Sequence, residues 1–310
     1  MSEIPNILVV GSLNMDLAVR TQQMPLPGQT VLGYNFKISP GGKGANQAVA
    51  AARLGAKSRM IGRVGADTFG EKLLSLMRAD GVDTTDIMVT PEAVTGTASI
   101  TVDSRGENYI IVAPGANYLV TPDDLFDREN IFAQADVLVL QLELPLPTVR
   151  AAIDLGKRHG CKIILDPAPA PAAICDELCN VDIITPNASE AEILTGKKPS
   201  NERTAKLIAS ELIARGAKTA VLKLGPHGSL VVMADGHFYT IPPVKVEVVD
   251  TTAAGDAFTA ALAVAVARGE NMHTAAKFAN AAGALACTKF GAQSSMPHAD
   301  DVNALLLQTS

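Results

Sequence analysis

Short, continuous apolar runs separated by helix-length segments constrain this chain more than any other feature. Ile7–Val10, Asp136–Leu140, Lys162–Leu165, Val181–Thr185 and Thr219–Leu224 read as short hydrophobic strands, and Arg59–Val64 reads as a further strand. Ala45–Leu54, Gly70–Asp80, 146–159, 188–195, 202–215 and Ala257–Ala267 read as helices. Strands that are apolar on both sides need cover on both sides. The pattern therefore predicts an α/β fold of three layers, with a mostly parallel sheet between helices. Ligands in such a sheet sit beyond the carboxyl ends of its strands.

Two regions break this rhythm. Residues 13–39 carry Pro25, Pro27 and alternating segments such as VLGYNFKI. Residues 95–112 place Ala98, Ile100 and Val102 on one face and Ser99 and Thr101 on the other, then turn at Arg105-Gly106 into YIIV. Period-two alternation marks a half-exposed sheet, so these regions should form a small second sheet. Its apolar face needs a partner, either a ligand or another subunit. No repeat, low-complexity tract or linker divides the chain, and 1–310 is read as one domain. The 310 residues are 47% hydrophobic, enough for a large core.

Charge and composition exclude several classes. Lys and Arg total 26 against 32 Asp and Glu, a formal charge of −6, which argues against nucleic acid and anionic membranes as partners. Trp is absent, which removes the best stacking platform for single strands. Cys161, Cys175, Cys179 and Cys287 form no CxxC pair and are expected to be small buried thiols in a reducing cytosol. The five histidines show no metal-ligand spacing. MSEIPN runs straight into ILVV with no basic segment and long apolar stretch, so a cytoplasmic location is expected.

The run DTTAAGDAF, Asp250–Phe258, carries the chemistry. Ala253, Ala254 and Gly255 precede Asp256 at the start of an apolar helix. Small residues there leave backbone N–H groups bare at the positive end of the helix dipole, where a phosphate can sit. A carboxylate beside it can take a proton from an attacking hydroxyl. Four further segments have both a chemical and a structural reading. Gly41-Gly42-Lys43-Gly44-Ala45-Asn46 opens a helix and either approaches a ligand or makes a tight turn; it fits neither a Walker A loop nor GxGxxG. Asn14 and Asp16 follow the first strand and suit sugar hydroxyls, or simply form a turn. Asn187 and Glu190 have capping-box spacing, and Glu190 equally suits hydrated Mg²⁺. Gly225-Pro226-His227-Gly228 wraps a nucleotide, turns a hairpin into SLVVM, or does both.

Together these segments resemble the phosphofructokinase-B, or ribokinase-like, family of sugar kinases. PGGKGANQAVAAARLGA is similar to the family's N-terminal signature and DTTAAGDAF to its C-terminal one. GSLNMD, QLE, DPAPA, the NxxE motif, GPHG and GAQSSMP extend the resemblance along essentially the whole chain. The resemblance implies a β-sheet lid formed by 13–39 and 95–112, and ATP-dependent phosphorylation of a sugar's primary hydroxyl. D-ribose at O5 is the first expectation, with 2-deoxyribose, fructose or a nucleoside as alternatives. It implies Asp256 as base and an anion hole at Ala253, Ala254, Gly255 and Asp256. Asn14, Asp16, Gly42, Lys43, Asn46 and Glu143 would face the sugar. Asn187, Lys223, Gly225, Gly228 and Asn280 would line the nucleotide site, with Gly255 at the phosphates and Glu190 at Mg²⁺. A monovalent cation, K⁺, would sit on oxygens of Asp250, Thr252, Ala286, Lys289, Gly291 and Ser295. A homodimer through the lid is also implied. Many family members have Gly where this chain has Ala253. A nicotinamide-dependent oxidoreductase would need GxGxxG after the first strand, where GSLNMD stands instead.

Overall fold

The computed structural model describes residues 4–105 and 107–309. Thirteen strands are present among them: β1 Asn6–Val10, β2 Asn14–Thr21, β3 Gly33–Gly41, β4 Lys57–Gly65, β5 Ile87–Thr90, β6 Gly96–Val102, β7 Asn108–Ala113, β8 Val137–Leu140, β9 Lys162–Leu165, β10 Ile183–Ile184, β11 Thr219–Lys223, β12 Ser229–Met233 and β13 Phe238–Ile241. Nine form the main sheet in the order β13-β12-β11-β10-β9-β8-β1-β4-β5, parallel except for β12 and β13. The antiparallel edge starts at the 225–228 turn, so the hairpin reading holds there.

Alternate strand residues feed two separate cores. Ile7, Val9, Val137, Val139, Ile164 and Val221 pack against helices Lys43–Arg53, Thr68–Ala79, Ala254–Ala267 and Met272–Ala286. Leu8, Val10, Leu138, Leu140, Ile163 and Leu222 pack against helices Leu146–Arg158, Ala188–Thr195 and Glu202–Ala214. This is the two-faced cover that unbroken apolar strands demand.

The second sheet has the order β3-β2-β6-β7 and joins the two alternating regions. Direct pairing puts Ala98, Ile100, Ile110 and Val112 on the face that carries Asp16, and Ser99, Tyr109 and Ile111 on the other. Gly106 of the expected turn lies outside the described residues; Asp103 closes its flanks by accepting from the N–H groups of Arg105 and Glu107.

Several expectations need correction. Asn14 and Asp16 lie in a strand, not a turn, because β2 pairs with both β3 and β6 from its first residue. Val181–Thr185 shrinks to Ile183–Ile184, as Pro186 ends the ladder. Cys175 is exposed, because it precedes a short surface helix at Asp176–Cys179, and Cys287 is only partly buried, so the expectation of buried thiols holds for Cys161 and Cys179 alone. The apolar pattern does not single out helices Met272–Ala286 and Ala299–Thr309 or strands β5 and β13.

Candidate functional site

The candidate residues converge on one edge of the main sheet. Asn14 follows β1, Glu143 follows β8, Asn187 and Glu190 follow β10, and Lys223 ends β11. All lie at or just beyond the carboxyl ends of parallel strands, where side chains from separate segments can meet in one basin.

Helix Ala254–Ala267 delivers Asp256. Ala253 caps it in the left-handed conformation, φ 59° and ψ 11°. Among the described residues, the N–H groups of Ala253, Gly255 and Asp256 have no hydrogen-bond partner, whereas that of Ala254 donates to the Thr251 carbonyl at 3.3 Å. Three of the four amides expected to bind an anion are thus open, and Ala254 is the exception. A Cβ on Gly255 would lie 3.4 Å from Lys223 Nζ, so an ammonium stands beside the open helix end.

Asp256 is 4% exposed. Asn46 Nδ2 donates to its Oδ2 at 2.8 Å, and Gln47 Nε2 donates to its Oδ1 at 3.0 Å. Burial pushes the carboxyl above its ordinary value. The Lys43 ammonium opposes that rise and the Asp166 charge adds to it. Asp256 is therefore a stronger base than the free aspartate that sequence alone suggests. Burial alone would depress Lys43, but Asp256, Asp166, Glu143 and Glu190 hold its ammonium well above the ordinary lysine value.

The sugar-facing candidates are brought together. Gly42 adopts φ 87°, and a Cβ there would meet the Asn14 nitrogen at 2.6 Å, so only glycine lets the loop cross β2 this closely. Asp16 packs its carboxylate against Gly41. Its pKa is raised to about 7 by burial, then by the charges of Glu143 and Asp256. Glu143 Oε2 accepts from Ser12 Oγ and, at 3.1 Å, from the Lys43 N–H. Asn117 Nδ2 donates to Asn14 Oδ1 at 2.8 Å, which leaves the Asn14 amide N–H groups as donors for a ligand.

The nucleotide-side candidates behave more variously. Asn187 and Glu190 form the full capping box, with both Glu190 oxygens accepting from Asn187. Burial raises the Glu190 pKa, with Lys223 opposing and Asp166 adding to the rise. Gly225 opens onto empty space, whereas a Cβ on Gly228 would strike the Ile241 carbonyl, so Gly228 has a packing reason of its own. Asn280 Nδ2 donates to the Pro242 carbonyl at 3.1 Å and ties helix Met272–Ala286 to the segment just past β13.

The cation candidates gather in part. Asp250 accepts from the Thr252 N–H at 2.9 Å and the Gly291 N–H at 2.9 Å, which ties the two loops together. Lys289 N–H reaches the Ala286 carbonyl at 3.4 Å. Ser295 Oγ is turned onto the Ala292 carbonyl at 2.8 Å, and among the described residues no hydrogen bond joins it to Asp250.

Sequence reasoning missed Asp166, Gln47, Gln141, Ser12 and Asn117. Asp166 is 1% exposed and pairs with Lys223 Nζ at 2.8 Å. Its signal was available, since it directly follows a read strand. Gln47 directly follows Asn46 in an Ala-rich helix, and nothing local separates its role from that of its neighbour.

The model for pfkB family carbohydrate kinases matches residues 5–299. A Haemophilus influenzae ribokinase is 40% identical over 94% of this chain and 95% of its own. A Salmonella typhi deoxyribokinase is 36% identical over 97% of this chain and 98% of its own. The structure of Arabidopsis thaliana ribokinase complexed with ribose and ATP superposes with a TM-score of 0.91 at 32% identity, covering 98% of this chain and 99% of that one. These similarities run over the same segments that build the basin described above, and the chain belongs to the pfkB family of carbohydrate kinases.

Proposed function

We propose that the protein transfers the terminal phosphoryl group of ATP to O5 of D-ribose, giving ADP and D-ribose 5-phosphate. One observation carries the reading: a buried carboxylate, Asp256, at a helix end whose Gly255 and Asp256 N–H groups are open and whose flank holds Lys223. The likeness to proteins named ribokinase, one of them solved with ribose and ATP, supports the choice of substrates.

In this mechanism the O5–P bond forms as the bond from that phosphorus to the ADP oxygen breaks. The O5 proton passes to Asp256. The open N–H groups and Lys223 meet the charge that builds on the phosphoryl oxygens, which is the larger contribution. A positioned base adds roughly 10²- to 10⁴-fold. Asn14, Asp16, Lys43, Asn46 and Glu143 hold the sugar hydroxyls. The second sheet closes over the sugar and excludes water, so that ribose rather than water is phosphorylated.

The residues present fit a hydrated Mg²⁺. Asp16, Glu143, Asp166, Glu190 and Asp256 share the basin with Lys43 and Lys223, an excess of negative charge that a divalent cation relieves. Glu190 would hold it through water, and when bound it neutralises the ATP phosphates. A K⁺ site at the 250–252 and 286–295 loops fits as far as Asp250 draws Gly291 to Thr252. Ser295 fits it less well. A cytoplasmic setting and a homodimer through the second sheet complete the proposal.

Deoxyribose is the second reading, favoured by the whole-length likeness to proteins named deoxyribokinase. ADP release measured over a panel of ribose, 2-deoxyribose, fructose and nucleosides tests both. Ribose should give the highest kcat/KM. Preference for 2-deoxyribose replaces the first reading with the second, and turnover of neither sugar ends both.

A further inference from the structure

Helix Lys43–Arg53 sends two consecutive amides to one carboxylate. Asn46 takes Oδ2 of Asp256, and Gln47 takes Oδ1. Gln47 does more than its neighbour. Its Nε2 also donates to Asp166 Oδ2 at 3.0 Å, and its Oε1 accepts from Gln141 Nε2 at 2.6 Å. Both of its N–H bonds therefore end on carboxylates, and its carbonyl end is claimed by a second amide. Gln141 fixes which way round the Gln47 amide sits, because a flip would aim Oε1 at two anionic oxygens. Asp166 is anchored in turn by Lys223 Nζ at 2.8 Å and Thr259 Oγ1 at 3.3 Å. Gln47 and Thr259 are 0% exposed and Gln141 and Asp166 are 1% exposed, so water does not substitute for any link.

On the other side of Asp256 the pairing is incomplete. Asn46 Oδ1 is buried and has no partner among the described residues. Oδ2 therefore adjoins an open acceptor, while Oδ1 is closed into the network.

We propose that Gln47 is a positioning residue for phosphoryl transfer: oriented by Gln141 and Asp166, it ties down Oδ1 of Asp256 and leaves Oδ2 as the oxygen that receives the acceptor's proton. The inference rests on Asp256 acting as the base. It adds that the base is aimed through a chain of neutral amides running from the end of β8 to helix Ala254–Ala267, its outer end being Gln141 Oε1, which is buried without a partner among the described residues. Gln47 separates two carboxylates that would repel if they met directly, and it does so without adding a charge. The charged groups that face Asp256 are Lys43 on the same helix as Gln47, Asp16 on β2, Glu143 after β8, Asp166 after β9, and Lys223 on β11.

The test uses the purified full chain with Gln47→Met, Gln141→Met and Asp166→Asn, reading kcat, both KM values and the pH profile of kcat. Gln47→Met keeps the length and loses the donors. It should lower kcat about tenfold or more, leave the ribose KM within about threefold, and move the acid limb of the profile to higher pH, since Asp256 loses a donor to its charged form. Gln141→Met should move the limb the same way by less. Asp166→Asn should move it to lower pH, because a neighbouring negative charge is gone. Unchanged kcat and an unmoved limb in Gln47→Met overturn the proposal. So does a lower kcat that only tracks lost thermal stability. If Gln47→Met does not fold, the other two variants decide, and limbs that fail to move in opposite senses overturn it. An inactive Asp256→Asn together with a normal Gln47→Met would leave the base in place and remove only Gln47 from its role.

Discussion

Asp256 and Asp16 occupy one basin, and the proposed reaction gives them different tasks. Asp256 should be dispensable for binding and necessary for turnover. Asp256→Asn is expected to lower kcat by about a hundredfold or more while ATP and ribose affinities measured by calorimetry stay close to those of the parent. Asp16 has a pKa of about 7, above the ordinary 3.8, so the folded state favours its protonated form. Stability is then undiminished below pH 3.8, falls as pH rises toward about 7, and stays reduced above that. Asp16→Asn should therefore raise the thermal unfolding midpoint at pH 8 and leave it nearly unchanged at pH 4. The same variant should raise the ribose KM about tenfold and leave the ATP KM nearly alone, since Asp16 meets hydroxyls and not phosphates. A fall in stability at pH 8, or equal effects on both KM values, would contradict this placement.

At the scale of elements, the helix end 253–256 joins stability to function. Ala253 sits at φ 59°, where a side chain costs about 1 kcal/mol. Ala253→Gly relieves that strain but loosens the unfolded chain, so urea unfolding should show a net change within about 1 kcal/mol. Ala253→Val should cost more than about 1 kcal/mol, because β-branching is poorly tolerated there. A neutral Ala253→Val would show that the cap is not strained. The cation loops are the second element-scale case. Asp250 already accepts three donors, namely the Thr252 N–H, the Thr252 hydroxyl and the Gly291 N–H, and those bonds hold its carboxyl below the ordinary value in spite of burial. A bound cation would draw on neighbouring carbonyls. Exchanging Na⁺ for K⁺ should raise activity severalfold, and a flat titration in both salts would remove the site.

At the scale of the whole molecule, the second sheet projects an apolar surface. On the face turned away from Asp16, Tyr109 and Ile111 are exposed, Ile111 at 74%. A surface of this kind marks an interface, and its edge strands need cover. Sedimentation should find a dimer at micromolar concentration, and Ile111→Glu should shift it to monomer with little change in the unfolding of the main sheet. A parent chain that sediments as a monomer would contradict the proposed pairing.

Much of this was legible in order of residues. The alternation of apolar strands and helices specifies a sheet covered on both faces, because backbone groups and apolar side chains on both sides of a strand can be satisfied in few ways. The small residues before Asp256 point to an anion site through local chemistry alone, whereas the glycines before Asn46 allow a ligand loop or a tight turn, and only the family resemblance assigns them to the sugar. Tertiary structure alone decided the rest. The bonds from Gln47 to Asp166 and Asp256 span 119 and 209 residues, and the pairing of Lys223 with Asp166 spans 57. No local periodicity encodes such contacts. Nor does composition reveal that Asp256 and Asp16 become weaker acids: a pKa depends on burial and on which charges stand nearby, and both exist only once the strands have brought their ends together.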